Sequence, residues 1–176
     1  MTIVACAVSQ DEVLLSWYQS EADVTWQKRA RSEFELKRLG KPALLIANEG
    51  IRYFRYNLLK CVSDARPFFD VHPTSWFRAS MNVVELGNCT AIDCWGRPDC
   101  RTVADIAMAQ PALRECRATA ASLEYPLILA SASDADVAVL LDGYHRAAGL
   151  IHAREADPLP AYWAVCPGIA DWGYYR

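Results

Sequence analysis

Val137-Ala-Val-Leu-Leu-Asp142-Gly143-Tyr144-His145-Arg146-Ala147-Ala148-Gly149-Leu150-Ile151 is the stretch on which the fold turns. An apolar run containing the β-branched Val137 and Val139 enters an Asp-Gly pair, and small or apolar side chains then return at helical spacing, at Ala147, Ala148, Leu150 and Ile151. The pattern predicts a strand, a tight turn and a helix. The first N–H groups of a helix have no partner inside it and lie at the positive end of its dipole, so such a turn suits an anion. Gly143 lets a ligand approach the main chain. His145 and Arg146 add side-chain donors, Arg146 with a planar fork matched to two phosphate oxygens. A plain strand-helix corner, with Asp142 as cap and Arg146 at the surface, uses the same letters.

The flanks extend the pattern. Tyr125-Pro126-Leu-Ile-Leu-Ala130 is a short strand entered through a proline, and Pro160-Ala-Tyr-Trp-Ala-Val165 is another. A helix, a Pro-led strand, a loop, a strand ending in D-G-x-H-R, a helix and a closing strand together resemble the ParB/sulfiredoxin-like superfamily. The resemblance spans residues 99–166. It implies that Gly143, Tyr144, His145 and Arg146 hold the phosphates of a nucleotide, ATP with Mg2+. Sulfiredoxin carries its reducing Cys immediately before His-Arg; here the position is Tyr144, and a phenol cannot form the thiosulfinate that chemistry needs. The ParB branch carries Glu-Arg-Arg at the turn and a following helix-turn-helix domain, for which this chain lacks the length. The D-G-x-H-R form occurs in smaller relatives, and the Osa-like plasmid fertility-inhibition group fits the chain best. That branch implies ATP hydrolysis, DNA cleavage and a protein partner in the DNA-transfer machinery.

Phosphoryl chemistry needs charge stabilisation, an aligned nucleophile and usually a carboxylate to hold Mg2+ or take a proton. His145, Arg146 and the helix start meet the first need. Asp142 is the adjacent carboxylate and the candidate metal ligand. Glu85 is favoured as a remote acid because it interrupts the apolar strand expected at Asn82-Val-Val-Glu-Leu86, with Asp93 on the next strand as a second choice. Each has a plainer role, as a cap or on the solvent face of a strand. His145 serves either as acid and base or as a simple donor.

Composition bounds the rest. The chain has 176 residues, 53% hydrophobic and 22% charged, enough for one sizeable core. A net charge of −3 gives no global pull toward nucleic acid. Seven cysteines, an odd number, read as reduced thiols of a cytoplasmic protein. Cys89, Cys94 and Cys100 lack the close pair of a zinc knuckle and read as small buried hydrophobes. No basic leader and no apolar run of the ~18 residues needed to cross a bilayer stand in the sequence, so neither export nor membrane insertion is expected.

In chain order, residues 3–8 and 13–18 suggest a hairpin, and 21–39 a helix. That helix gathers Lys28, Arg29, Arg31, Lys37 and Arg38, with Trp26 and Phe34 interleaved. Such a face is either simply solvated or a contact for DNA phosphates. Residues 43–56 form a second hairpin, 57–79 an aromatic-rich irregular segment, 82–86 and 90–95 two strands, and 102–109 and 111–123 two helices. The expectation is an α+β single domain with a mixed sheet. Its parts are an N-terminal elaboration over 1–98, a ParB/sulfiredoxin-like core over 99–166, and a tail over 167–176 that packs back on the body. Two other functions fit the same sequence. One is a non-catalytic nucleotide-binding module that docks a partner through residues 67–77; the other is a small-molecule kinase.

Overall fold

The computed structural model describes residues 2–10, 12, 13, 16, 20, 69, 72–91, 100–109 and 123–171. Strands β1 (Thr2–Val8) and β2 (Ser75–Met81) are followed by helix α1 (Val83–Asn88), strand β3 (Thr90–Ala91) and helix α2 (Val103–Ala109). Then come β4 (Leu127–Ser131), β5 (Val139–Asp142), helix α3 (Tyr144–Ala153), β6 (Leu159–Val165) and a short 3-10 turn, Pro167–Asp171. The strands make one six-stranded sheet in the order β1-β2-β6-β4-β5-β3. β6 runs parallel to β4 and β3 parallel to β5, while β1 with β2, β2 with β6, and β4 with β5 are antiparallel. The α+β expectation with a mixed sheet therefore holds, and strands from both sides of residue 98 share that sheet.

The Leu-Ile-Leu-Ala-Ser run of β4 reads as continuously apolar because it lies inside the sheet with every residue buried, as strands covered on both faces do. Its one polar group is satisfied: the Ser131 hydroxyl accepts from Trp163 Nε1 at 2.7 Å and donates to the Ser133 carbonyl at 2.7 Å. Helices α1, α2 and α3 pack against one another. Buried Leu86, Val103, Ile106, Ala107, Ala147 and Leu150 join the same core as the sheet. His152 ties α3 to α2 through a 2.9 Å hydrogen bond between Nε2 and the Ala107 carbonyl.

Three expectations are corrected. The hairpin over 3–8 and 13–18 does not form: Val13 and Ser16 are helical, and β1 pairs instead with β2. The Ser9 hydroxyl accepts the Glu12 N–H at 3.1 Å and starts that helical segment as a cap would. The irregular segment over 57–79 contains most of β2, whose alternating side chains put Trp76, Ala79 and Met81 in the core. The strand over 82–86 is helix α1. There the Asn82 side chain accepts the Glu85 N–H and the Glu85 carboxylate accepts the Asn82 N–H, each at 2.9 Å, a capping box that outweighs the β-branched Val83 and Val84. Helix α2, strands β4, β5 and β6 and helix α3 form where the sequence placed them, and β3 begins at Thr90 as expected. The basic helix over 21–39 and the hairpin over 43–56 lie outside the described residues, as do Asp93, Cys94, residues 110–122 and the tail end 172–176. Among the described residues no helix is long and apolar enough to cross a membrane.

Candidate functional site

Strand β5 ends at Asp142, and the chain passes into α3 through Gly143, the N-cap residue, at φ 104° and ψ 21°. That conformation is strained for any residue bearing a Cβ. Space imposes the same requirement, since a Cβ on Gly143 lies 2.6 Å from Leu127 Cδ2. No side chain caps the helix start. The Gly143 carbonyl accepts the Ala147 N–H at 2.7 Å, which closes the first turn at the positive end of α3. Asp142 thus does not serve as the side-chain cap that the plainer sequence reading gave it.

Asp142 holds Arg146 instead. One helical turn apart, Arg146 Nη2 donates to Asp142 Oδ2 at 2.7 Å, and Nη1 donates to the Tyr125 carbonyl at 2.9 Å. The Arg146 side chain is 22% exposed and that of Asp142 12%, so Arg146 is not the loose surface arginine of a plain corner. Burial pushes the Asp142 carboxyl up; the Arg146 charge, the Gly143 N–H and the Ser20 hydroxyl pull it back. The guanidinium is thereby fixed from two sides, each Nη donating to the protein, with Nη2 and Nε lying beside Gly143. Tyr144 points away from any ligand: its buried phenol donates to the Leu140 carbonyl at 2.8 Å and anchors the helix to β5. His145, next along, is exposed. Of the four residues expected to hold phosphate, His145 is exposed and Arg146 partly so, while Gly143 and Tyr144 are buried.

The comparisons with known proteins leave this geometry to speak alone. No protein-family model, curated protein or solved structure matches the chain.

Glu85, the expected remote acid, sits in the first turn of α1 rather than on a strand, with its carboxylate engaged at Asn82. Mg2+ demands near-octahedral oxygen coordination and keeps several waters, so a nucleotide brings most of its ligands along. At this turn the nearest carboxylate, Asp142, is committed to a cation already. Among the described residues no group of three His, Cys, Asp or Glu is placed to hold a metal. The residues around the turn therefore do not fit a metal site built by the protein itself. Cys89 is buried, its thiol donating toward the Glu85 carbonyl at 3.4 Å, and burial pushes it up to about 12. It is a packing residue, inert as a nucleophile at neutral pH. The five cations Lys28, Arg29, Arg31, Lys37 and Arg38 lie outside the described residues.

A second polar cluster went unnoticed in the sequence. Glu12 Oε1 accepts from Arg78 Nη2 at 2.7 Å and from the Tyr162 hydroxyl at 3.1 Å. Trp76 Nε1 reaches Gln10 Oε1 at 3.4 Å. The sequence carries no signal for it, since Glu12 meets Arg78 and Tyr162 from 66 and 150 residues away.

Proposed function

We propose that the turn 143–146 binds the phosphates of a nucleotide and that the protein is an ATP phosphohydrolase of ParB/sulfiredoxin-like type. The observation that carries this reading is the held guanidinium of Arg146 beside a helix start that has no side-chain cap. Backbone N–H groups and a preorganised arginine at one point are what a phosphate group requires, and an arginine already fixed loses little entropy on binding. His145, exposed on the first turn, is the side chain for proton transfer at the phosphate, and Arg146 the one that meets developing charge. DNA is proposed as a second substrate, through Lys28, Arg29, Arg31, Lys37 and Arg38, in keeping with a role in limiting plasmid transfer and with a partner in the DNA-transfer machinery. One observation favours a second reading, a non-catalytic nucleotide-binding module: Asp142, the carboxylate closest to the turn, is occupied by Arg146 and so is not offered to Mg2+.

The test is incubation of purified protein with ATP, Mg2+ and plasmid or single-stranded DNA, comparing wild type with His145→Ala and Arg146→Ala. Each variant's fold is checked by circular dichroism, because Arg146→Ala leaves Asp142 buried beside an empty place. ATP turnover lost in both variants supports the hydrolase; ATP binding without turnover supports the module. Absence of ATP binding by wild type overturns both. Charge reversal at Lys37 and Arg38 flattens the salt dependence of DNA binding if phosphates are held there.

A further inference from the structure

Strand β5 gains a residue on β4 just before the turn. Leu129 pairs with Leu140, but its neighbour Ile128 pairs with Asp142, so two residues of β5 advance for one of β4 and Leu141 is the extra residue of a bulge. That extra residue decides which face Asp142 takes. In an unbroken strand Leu140 and Asp142 share a face; here Leu140 takes the face of Leu129 and Asp142 that of Ile128, which alternation puts on the opposite side. A bulge beside a site re-aims a side chain in this way.

The group that grips the bulge comes from the helix beyond the turn. The Tyr144 phenol donates to the carbonyl of Leu140, the residue immediately before Leu141, at 2.8 Å. This hydrogen bond is buried, and Leu140 and Leu141 are 0% and 3% exposed, so water does not replace a lost donor there. A clasp from residue 144 back to residue 140 thus encloses Leu141, Asp142 and Gly143 between the strand and the first turn of α3.

We infer that Tyr144 is a positioning residue of the phosphate-binding turn: by clasping Leu140 it holds the bulge at Leu141 and so keeps Asp142 on the face from which it orients Arg146. The inference rests on the proposed nucleotide site for its purpose, but not for its geometry. If the bulge slips to regular pairing, Leu141 comes opposite Ile128 and the carboxylate turns to the other face. Arg146 Nη2 then loses its 2.7 Å partner, leaving Nη1 on the Tyr125 carbonyl. A phenylalanine at 144 fills the same space without reaching the carbonyl, so the hydroxyl is the part that matters.

The test uses the full chain labelled with 15N and 13C. Cross-strand NOE contacts between Ile128 and Asp142 report the register. Slow rotation of a held guanidinium gives resolved Nη–Hη resonances, assigned to Arg146 by their loss in Arg146→Lys. Tyr144→Phe is expected to exchange the Ile128–Asp142 contact for one between Ile128 and Leu141 and to collapse the Arg146 resonances. It raises the Kd for ATP by roughly three- to tenfold, with turnover at saturating ATP changed less. Tyr162→Phe, which deletes a phenol bonded to Glu12 instead, leaves the register and the Arg146 resonances as in wild type. Tyr144→Met, apolar and without the hydroxyl, gives the same result where Tyr144→Phe does not fold. Unchanged register and Arg146 resonances in folded Tyr144→Phe or Tyr144→Met overturn the inference, as does an equal effect from Tyr162→Phe. If wild type binds no ATP, the nucleotide reading falls, while the spectra of the nucleotide-free protein still decide whether Tyr144 holds Asp142 and Arg146.

Discussion

Replacing Gly143 by alanine is expected to be among the costliest single-methyl additions in this chain. Two penalties act together. The backbone at φ 104° lies in the left-handed half of conformational space, where a Cβ costs about 1–2 kcal/mol. The new methyl also arrives 2.6 Å from Leu127 Cδ2, and Leu127 is fully buried in the central strand, with no exposed position to retreat to. Overpacking of this kind costs about 1–3 kcal/mol. The sum is about 2–5 kcal/mol, which for a chain of this length lowers Tm by about 5–15 °C. Urea unfolding followed by tryptophan fluorescence, with thermal melts alongside, measures it. Leu127→Ala in the same molecule relieves the steric part but not the backbone part. The double variant is therefore expected to lose less than the sum of the two singles, by about 1–2 kcal/mol. A Gly143→Ala protein destabilised by less than about 1 kcal/mol, or strict additivity with Leu127→Ala, would refute the account of the turn.

Three further outcomes are expected. Arg154, the only described residue other than glycine with positive φ, closes α3 at φ 52° with its N–H on the Ile151 carbonyl; Arg154→Gly is expected to stabilise the protein by about 0.5–1 kcal/mol, and a lower Tm speaks against it. Brief treatment of the native protein with iodoacetamide, read by peptide mass spectrometry, is expected to label exposed Cys6 and to spare buried Cys89 and Cys166 until the chain is unfolded; fast native labelling of Cys89 contradicts its elevated pKa. The Asp105 carboxyl is held below its ordinary value by the Thr102 N–H, the Thr102 hydroxyl and the Arg101 N–H, so it stabilises the fold above the unfolded carboxyl's pKa of about 3.9 and stops doing so as pH falls through the lower folded value. The stability gap between wild type and Asp105→Ala, measured by urea titration, therefore shrinks as pH drops from 6 toward 2, and a gap that widens on acidification refutes the assignment.

Strand, turn and helix around Asp142 were legible because three signals agreed there: an apolar run, an Asp-Gly break and a return to helical spacing. The misreadings at 13–18 and 82–86 have one common cause. Ser9 with Glu12, and Asn82 with Glu85, each place a capping oxygen three residues before an acid; the first pair reads as a turn between apolar runs and the second falls within a run short enough to suit a strand. Strand β2 was missed for a different reason. Its aromatic residues sit close behind Pro73, and its inner position depends on β1 and β6, whose distance in sequence hides the pairing. At the site, the residue types were readable but not their roles. Nothing in the letters shows that Arg146 is spent partly on a carbonyl 21 residues earlier, or that Tyr144 turns inward.

The place of β6 governs how this sheet is made. β6, the last strand among the described residues, is inserted between β2 and β4, with Trp76 facing Ala164 on one side and Leu129 facing Trp163 on the other. Until residues 159–165 emerge from the ribosome, the β1-β2 pair and the β4-β5 pair present their inner edges unpaired and cannot meet. Closure is a single late event joining the two halves, slow because its contacts are distant in sequence. The facing edges of β2 and β4 stay unpaired until it happens, and that interval exposes the nascent chain to aggregation.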